Sequence, residues 1–179
     1  MLRTDRTFSE AIERAVGEAE RGTAAELIVV AAARSGSYWD VALALGAAFA
    51  LASWLAHRTP GLMRAFVPAA RRRKHVERAA AEHFLAEAVH GTRGRTGLLV
   101  YLSLLEEQVA LIPDLGLEGR IPSAVWADLR WSTTGDPSRP RTLEDLVRGI
   151  EQIGAILRLR IPADATDANE SPDAPRIVS

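Results

Sequence analysis

Residues 93–119, RGRTGLLVYLSLLEEQVALIPDLGLEG, constrain the fold more than any other part of the chain. Residues 98–102 form an apolar run of strand-forming side chains, and residues 108–112 alternate polar and apolar with the period of a β-strand. Residues 104–107 between them are only long enough for a tight turn. The pattern predicts a β-hairpin. Its almost uniformly apolar first strand indicates a central position in a sheet, with both faces covered.

Helices and one further strand flank this hairpin in the sequence. Apolar stripes of helical period predict three amphipathic helices, over residues 8–21, 75–90 and 143–157. Thr7 and Thr142 are the expected N-caps of the first and the last of them. Residues 26–30, ELIVV, have the composition of a short buried strand. Because a lone strand or hairpin is marginal in water, this strand and the hairpin should share one sheet.

Residues 38–56, YWDVALALGAAFALASWLA, form an apolar segment with Asp40 as its one charge. At about 1.5 Å per residue, a helix of this length just spans the roughly 30 Å of membrane hydrocarbon. The aromatic side chains expected to contact a membrane are Tyr38, Trp39, Phe49 and Trp54. The alternative is a helix buried in the fold or against a partner, because Asp40 is costly in lipid and alanine and glycine dilute the hydrophobicity.

The topology disfavours a single membrane crossing by this segment. The strand at 26–30 and the hairpin need to lie on the same side of a membrane, and residues 57–70 are too short to return the chain. An interfacial, re-entrant or oligomer-forming helix is therefore favoured. Ala42, Gly46 and Ala50 are four residues apart, a spacing that lets two helices approach closely, so a homo-oligomer is the alternative to membrane binding.

A basic run follows the apolar segment directly. Its four consecutive cations are Arg71, Arg72, Arg73 and Lys74. Such a run suits anionic lipid headgroups and is typical of a cytoplasmic membrane face, although solvated helix starts carry similar runs. We therefore expect the globular part to be cytoplasmic. The net charge of −1 argues against a nucleic-acid partner.

Three acidic residues are the main candidate ligands for a metal ion. The chain has no Cys, which excludes thiolate catalysis and Cys-based zinc sites. Glu26 begins a predicted strand, Asp114 follows another, and Glu118 lies in the next corner. If the strands are neighbours, these carboxylates could converge and bind Ca²⁺ or Mg²⁺, which prefer oxygen ligands. The alternative is three solvated or turn-capping carboxylates.

The stretch at residues 93–119 carries a resemblance to TPM-domain proteins. Residues 95–103, RTGLLVYLS, resemble the glycine-led strand of that family, and residues 116–119 match its Gly-Leu-Glu-Gly corner. Residues 11–30 are similar to its opening helix and first strand, and the resemblance covers most of residues 8–158. It implies an α/β three-layer sandwich with a small central mixed β-sheet flanked by helices. An apolar helix would be inserted between the first strand and the next long helix.

The resemblance also implies functions. Plant thylakoid members of the family are linked to acid phosphatase activity, divalent-ion binding and photosystem repair, and bacterial members are mostly membrane-associated. Gly94 and Arg95 stand where bacterial members often have an acidic residue, which weakens a carried-over metal or phosphatase site. Leu115 replaces the tyrosine of the corner. The membrane insertion is shortened to little more than one crossing, which weakens an integral membrane topology.

We therefore predict four segments in the chain. They are the first helix and strand over 1–34, an apolar and basic insertion over 35–74, the rest of the TPM-like domain over 75–160, and a disordered tail over 161–179. The expected function is that of a membrane-associated accessory or assembly factor for a membrane protein, non-catalytic or weakly catalytic. The alternatives are a divalent-metal-dependent, acid-phosphatase-like hydrolase and a soluble homo-oligomer.

Overall fold

The computed structural model describes residues 4–36, 68–129, 142–163 and 172–178. These residues form a mixed four-stranded sheet with helices on both faces. The helices are α1 (Arg6–Glu20), α2 (Ala69–Ala86), α3 (Leu115–Glu118), α4 (Ser123–Asp128) and α5 (Leu143–Arg160), with a 3₁₀ helix at Val89–Gly91. The strands are β1 (Glu26–Ala32), β2 (Gly97–Ser103), β3 (Gln108–Pro113) and β4 (Arg176–Val178). The predicted α/β class and the mixed sheet flanked by helices are confirmed.

The strand order across the sheet is β3-β2-β1-β4. β1 runs parallel to both β2 and β4, whereas β2 and β3 form the predicted antiparallel hairpin. The parallel pairing sets Glu26 opposite Gly97 at one end and Ala32 opposite Ser103 at the other. We call the end at Glu26 the amino edge and the end at Ala32 the carboxyl edge. The edge of a strand, in contrast, means its long side. Every residue of β1 and β2 is buried, as expected for strands covered on both faces.

Two hydrophobic layers enclose the sheet, because successive strand side chains point to opposite faces. The larger layer lies between the sheet and helices α1 and α5, and contains Leu27, Val29, Leu98 and Val100. The smaller layer lies beneath α2 and contains Ile28, Val30, Leu99 and Tyr101. The helices α1 and α5 pack closely where they meet, since an ideal Cβ on Gly154 would lie 2.5 Å from the Cα of Ala19.

The helix boundaries agree with the sequence in part. Thr142 caps α5 through a capping box with Asp145, as predicted. The N-cap of α1 is Asp5 rather than Thr7, and its Oδ1 accepts a hydrogen bond from the Phe8 N–H at 3.0 Å. A carboxylate at this position satisfies an otherwise unpaired amide and faces the positive end of the helix dipole. Helix α2 begins at Ala69, before the predicted start at residue 75, so the basic run lies inside it.

The strand β4 departs from the prediction of a disordered tail. Its residues pair with Val30, Ala31 and Ala32 of β1, and the Ala33 N–H donates to the Val178 carbonyl oxygen at 3.1 Å. Ala, Asp and Pro dominate the composition before it, but the short apolar run at Ile177 and Val178 finds a partner in an otherwise open strand edge.

The predicted apolar helix at 38–56 lies outside the described residues. The four aromatic residues assigned to membrane contact lie there too, as do the small residues of the oligomer alternative. Within the described ranges, no helix has both the length and the apolar character needed to cross a membrane.

Candidate functional site

The structure places two of the three predicted metal ligands at the amino edge. Glu26 is the first residue of β1, and Asp114 follows β3, with its N–H donating to the Gly97 carbonyl oxygen at 2.8 Å. The strand β2 lies between β1 and β3, however. Two strand spacings therefore separate the backbones of Glu26 and Asp114 by about 10 Å, and the two residues do not lie on neighbouring strands, as the predicted convergence required.

Asp114 forms an ion pair with Arg95, which lies in the loop before β2. Its buried carboxylate accepts two hydrogen bonds from Arg95, from Nε to Oδ2 at 2.7 Å and from Nη2 to Oδ1 at 2.8 Å. Oδ1 also accepts from the Leu115 N–H at 2.8 Å, which caps α3. Burial raises the pKa of Asp114, but the hydrogen bonds from Arg95 and Leu115 outweigh it, so the pKa lies below its usual value. The carboxylate is therefore ionised and already paired.

The Gly-Leu-Glu-Gly corner closes against the same loop. An ideal Cβ on Gly116 would lie 2.3 Å from the carbonyl oxygen of Gly94 and 2.6 Å from that of Arg95. The Gly116 N–H donates to the Arg95 carbonyl oxygen at 2.8 Å. Only glycine allows this contact between two backbone segments. The corner motif thus has a packing role that joins α3 to the loop before β2.

Glu118, the third predicted ligand, is exposed on α3. Among the side chains of the described ranges, no group of three or more His, Asp and Glu residues is placed so as to hold a metal ion. The Ca²⁺ or Mg²⁺ site therefore stays a prediction, without a three-carboxylate group in this part of the chain to build it on. In the described residues, the contacts at the amino edge hold α3 and the loop before β2 together.

The carboxyl edge carries a polar network that the sequence did not predict. Glu106, in the β2–β3 turn, is 2% exposed. Its two carboxylate oxygens accept the Ser35 N–H, each at 3.2 Å, and the Ser103 hydroxyl donates a third hydrogen bond. The Ser35 hydroxyl donates to the Tyr101 hydroxyl at 3.2 Å. These bonds fasten the segment that leaves β1 to the end of the hairpin.

Aromatic side chains extend this network toward α2. The His83 ring stacks on Tyr101 with the ring centroids 5.4 Å apart. Burial raises the pKa of Tyr101, so its hydroxyl stays protonated and available for hydrogen bonding. At the start of the same helix, Gly36 packs against the His75 ring, since an ideal Cβ there would lie 2.7 Å from Nδ1. The chain is therefore held at Ser35 and Gly36, at the start of the predicted insertion.

The basic run lies on the first turns of α2 at this edge. The contact between His75 and Gly36 fixes that end of the helix beside the point where β1 ends. Arg73 and Lys74 are exposed, and Arg73 forms only a loose ion pair with Glu77, at 3.4 Å between two well-exposed side chains. Such an exposed pair contributes little, so the cation remains available to an anionic surface. The carboxyl edge thus presents Ser35 and Gly36, which begin the predicted insertion, and the cations that end it.

Comparisons with known proteins bear on the fold. No protein-family model matches the chain, and no curated protein matches it. Its fold is similar to the NMR structure of the BA42 protein from the psychrophilic bacterium Bizionia argentinensis, with a TM-score of 0.67 over 97% of this chain and 94% of that chain. The sequence identity is 17%, so the similarity concerns the fold alone.

Proposed function

We propose that the chain is a TPM-like domain that docks on an anionic membrane surface through its carboxyl edge and serves there as an accessory or assembly factor for a membrane protein, without strong catalysis of its own. One observation carries the proposal: the basic run lies on the first turns of α2, at the edge where Gly36 packs against His75. The start of the predicted insertion and the cations at its end thereby lie at the same end of the domain.

The electrostatics of this end favour an anionic partner. Arg71, Arg72, Arg73 and Lys74 lie within the first two turns of an 18-residue helix. The positive end of the helix dipole adds to their field there, and Pro68 at the N-cap leaves the first amides without a side-chain acceptor. Each cation near an anionic bilayer contributes about 1 kcal/mol to binding. A run of this size provides reversible rather than permanent attachment.

The TPM assignment is supported by the fold and by the motifs. The mixed sheet, its hairpin and the glycine-led strand lie where the resemblance of residues 95–103 and 116–119 implies them. The similarity to BA42 supports the architecture over nearly the whole chain. The phosphatase alternative has less support, because Asp114 is neutralised by Arg95 and the described residues offer no three-ligand cluster.

Vesicle flotation tests the proposal. Purified protein is floated with vesicles of phosphatidylcholine alone and of phosphatidylcholine mixed with phosphatidylglycerol. The test variant replaces Arg71, Arg73 and Lys74 by Gln. Loss of three cations should weaken binding to the anionic vesicles by about 3 kcal/mol, which is roughly a hundredfold. Added salt should weaken the binding of the unmodified protein as well, because exposed charges are screened.

A matched triple variant separates a local effect from one of net charge. Arg6, Arg14 and Arg148 are exposed on α1 and α5, in the layer on the opposite face of the sheet from α2. Their replacement by Gln removes the same charge and should leave flotation nearly unchanged. If both triple variants bind equally well, or if the unmodified protein ignores anionic vesicles, the docking proposal is wrong.

A further inference from the structure

The C-terminal segment at 172–178 lies along the free edge of β1 and is held there by few contacts. β4 pairs with only three residues of the seven in β1. Arg176 and Ile177 are exposed, with Ile177 at 50%. A three-residue strand with exposed side chains buries little apolar surface, so backbone pairing and polar contacts must hold it in place.

Two polar contacts fasten this segment. Arg176 forms an ion pair with Glu87 after α2, with Nε and Oε2 3.3 Å apart. Asp173 shares a hydrogen bond with the side chain of Glu20 at the end of α1. Asp173 also lies against α1 at Gly17, where an ideal Cβ would be 3.0 Å from its Oδ2. A hydrogen bond between two carboxyl groups requires a proton on one of them.

The side chain of Glu20 covers the edge of β1 near its start, before the residues that pair with β4. Its Oε1 accepts the Leu27 N–H at 2.7 Å, a backbone group that an edge strand otherwise offers to a neighbouring chain. A cavity of about 310 Å³ lies between β1, the end of α2 and the C-terminal segment, lined by residues that include Ile28, Thr92 and Pro172. Among the described residues, one carboxyl side chain and one short strand thus cover the edge of β1.

We propose that residues 172–178 are a releasable strap on the edge of β1, and that the hydrogen bond between the side chains of Glu20 and Asp173 is the latch that holds it there. The geometry supports this role, since Asp173 lies against α1 at Gly17 and the pairing of β4 covers only three residues of β1.

The charges around Glu20 give the latch its direction. Glu26 of β1 and Asp173 of the strap are the charged groups that act on it, and both are acidic. Arg158 of α5, the nearby cation, donates instead to the carbonyl oxygens of Glu18 and Ala19, each at 3.2 Å. Burial raises the pKa of Glu20 to about 8. Above that pH three carboxylates face one another, and their repulsion opens the strap.

Amide hydrogen exchange on the full chain tests the release. The Ala33 N–H, which donates to Val178, reports the strap, whereas the Leu104 N–H, which donates to Ala32 at 2.9 Å, is an internal control. Between pH 6.5 and pH 9, the protection factor of Ala33 should fall by about tenfold or more while that of Leu104 holds. Glu20→Gln should keep Ala33 protected at both pH values, because an amide both accepts from Leu27 and donates to Asp173. Protection of Ala33 that does not change with pH overturns the latch.

One further variant completes the test. Asp173→Ala removes the partner of Glu20 in the latch and should lower the protection of Ala33 at both pH values, while Leu104 stays protected. Protection of Ala33 that is the same in Asp173→Ala and in the unmodified protein at pH 6.5 also overturns the latch.

Discussion

Stability should fall with rising pH because of Glu20, and the fall should vanish in Glu20→Gln. Burial raises the pKa of this carboxyl from 4.5 to about 8, and the neighbouring Glu26 and Asp173 add to the shift, against the lowering effect of the Leu27 N–H. A pKa raised by folding means that the native state holds a proton that the unfolded chain has lost. The contribution is therefore full below pH 4.5, falls as the pH rises, and is gone above about pH 8.

The size of the effect follows from the shift. Each pKa unit corresponds to about 1.4 kcal/mol, so a fully buried group with this shift would contribute about 5 kcal/mol. Glu20 is only partly buried, and water screens its interactions, which reduces the expected change to about 2 kcal/mol. A change of about 2 kcal/mol in the free energy of unfolding is large enough to measure by denaturation. The glutamine variant should not show it.

Urea unfolding between pH 5 and pH 9 provides the assay, since a midpoint shift at constant slope reports stability alone. The difference between the unmodified protein and Glu20→Gln is the quantity to follow, because every other titrating group cancels in it. It should widen with pH up to about 8 and then level off. Glu18→Gln, an exposed change in the same helix turn, should track the unmodified protein. A difference that stays constant across this range would refute the reasoning.

Two other substitutions probe the frame of the domain, both by urea midpoints. Gly154→Ala should lower the free energy of unfolding by about 2–3 kcal/mol, because its Cβ would lie 2.5 Å from the Cα of Ala19 and force α1 and α5 apart. Gly119→Ala is the control. Its Cβ would lie at an ordinary 3.6 Å from the Leu115 oxygen, so stability should change by less than about 0.5 kcal/mol. Equal effects of the two alanines would contradict the close packing of α1 and α5. Thr142→Ala should cost about 1 kcal/mol through loss of the capping box, and an unchanged midpoint would show that the box does not hold the start of α5.

Local pattern explains why the hairpin was predictable. Residues 97–113 contain two adjacent strands and their turn, so periodicity and turn length are legible within one short window. The cap at Thr142 is equally local, since donor and acceptor lie three residues apart. The cap of α1 was misjudged because two capping residues, Asp5 and Thr7, compete within the same turn, and sequence does not say which begins the helix.

Contacts between residues far apart in the sequence could not be predicted, for a physical reason. Glu106 and Ser35 are 71 residues apart, and nothing in either neighbourhood marks them as partners. The convergence of Glu26 and Asp114 was a sound expectation for neighbouring strands and depended on a strand order that periodicity does not encode. With β2 between them, the two residues lie at the same end of the sheet but not on neighbouring strands. The tail composition likewise hid β4, because three paired residues are too few to show a pattern.

The strap connects the two edges of the sheet. Asp173 lies beside Glu20, where α1 leads into β1 near the amino edge, and Val178 accepts the Ala33 N–H at the carboxyl edge. Ala33 lies two residues before Ser35, which Glu106 holds at the start of the predicted insertion. A proton lost at one end of the strap therefore removes a hydrogen bond from the segment that leads into the proposed membrane-docking face. The network at Glu106 does not depend on that proton, so the docking face stays assembled while the edge of β1 opens.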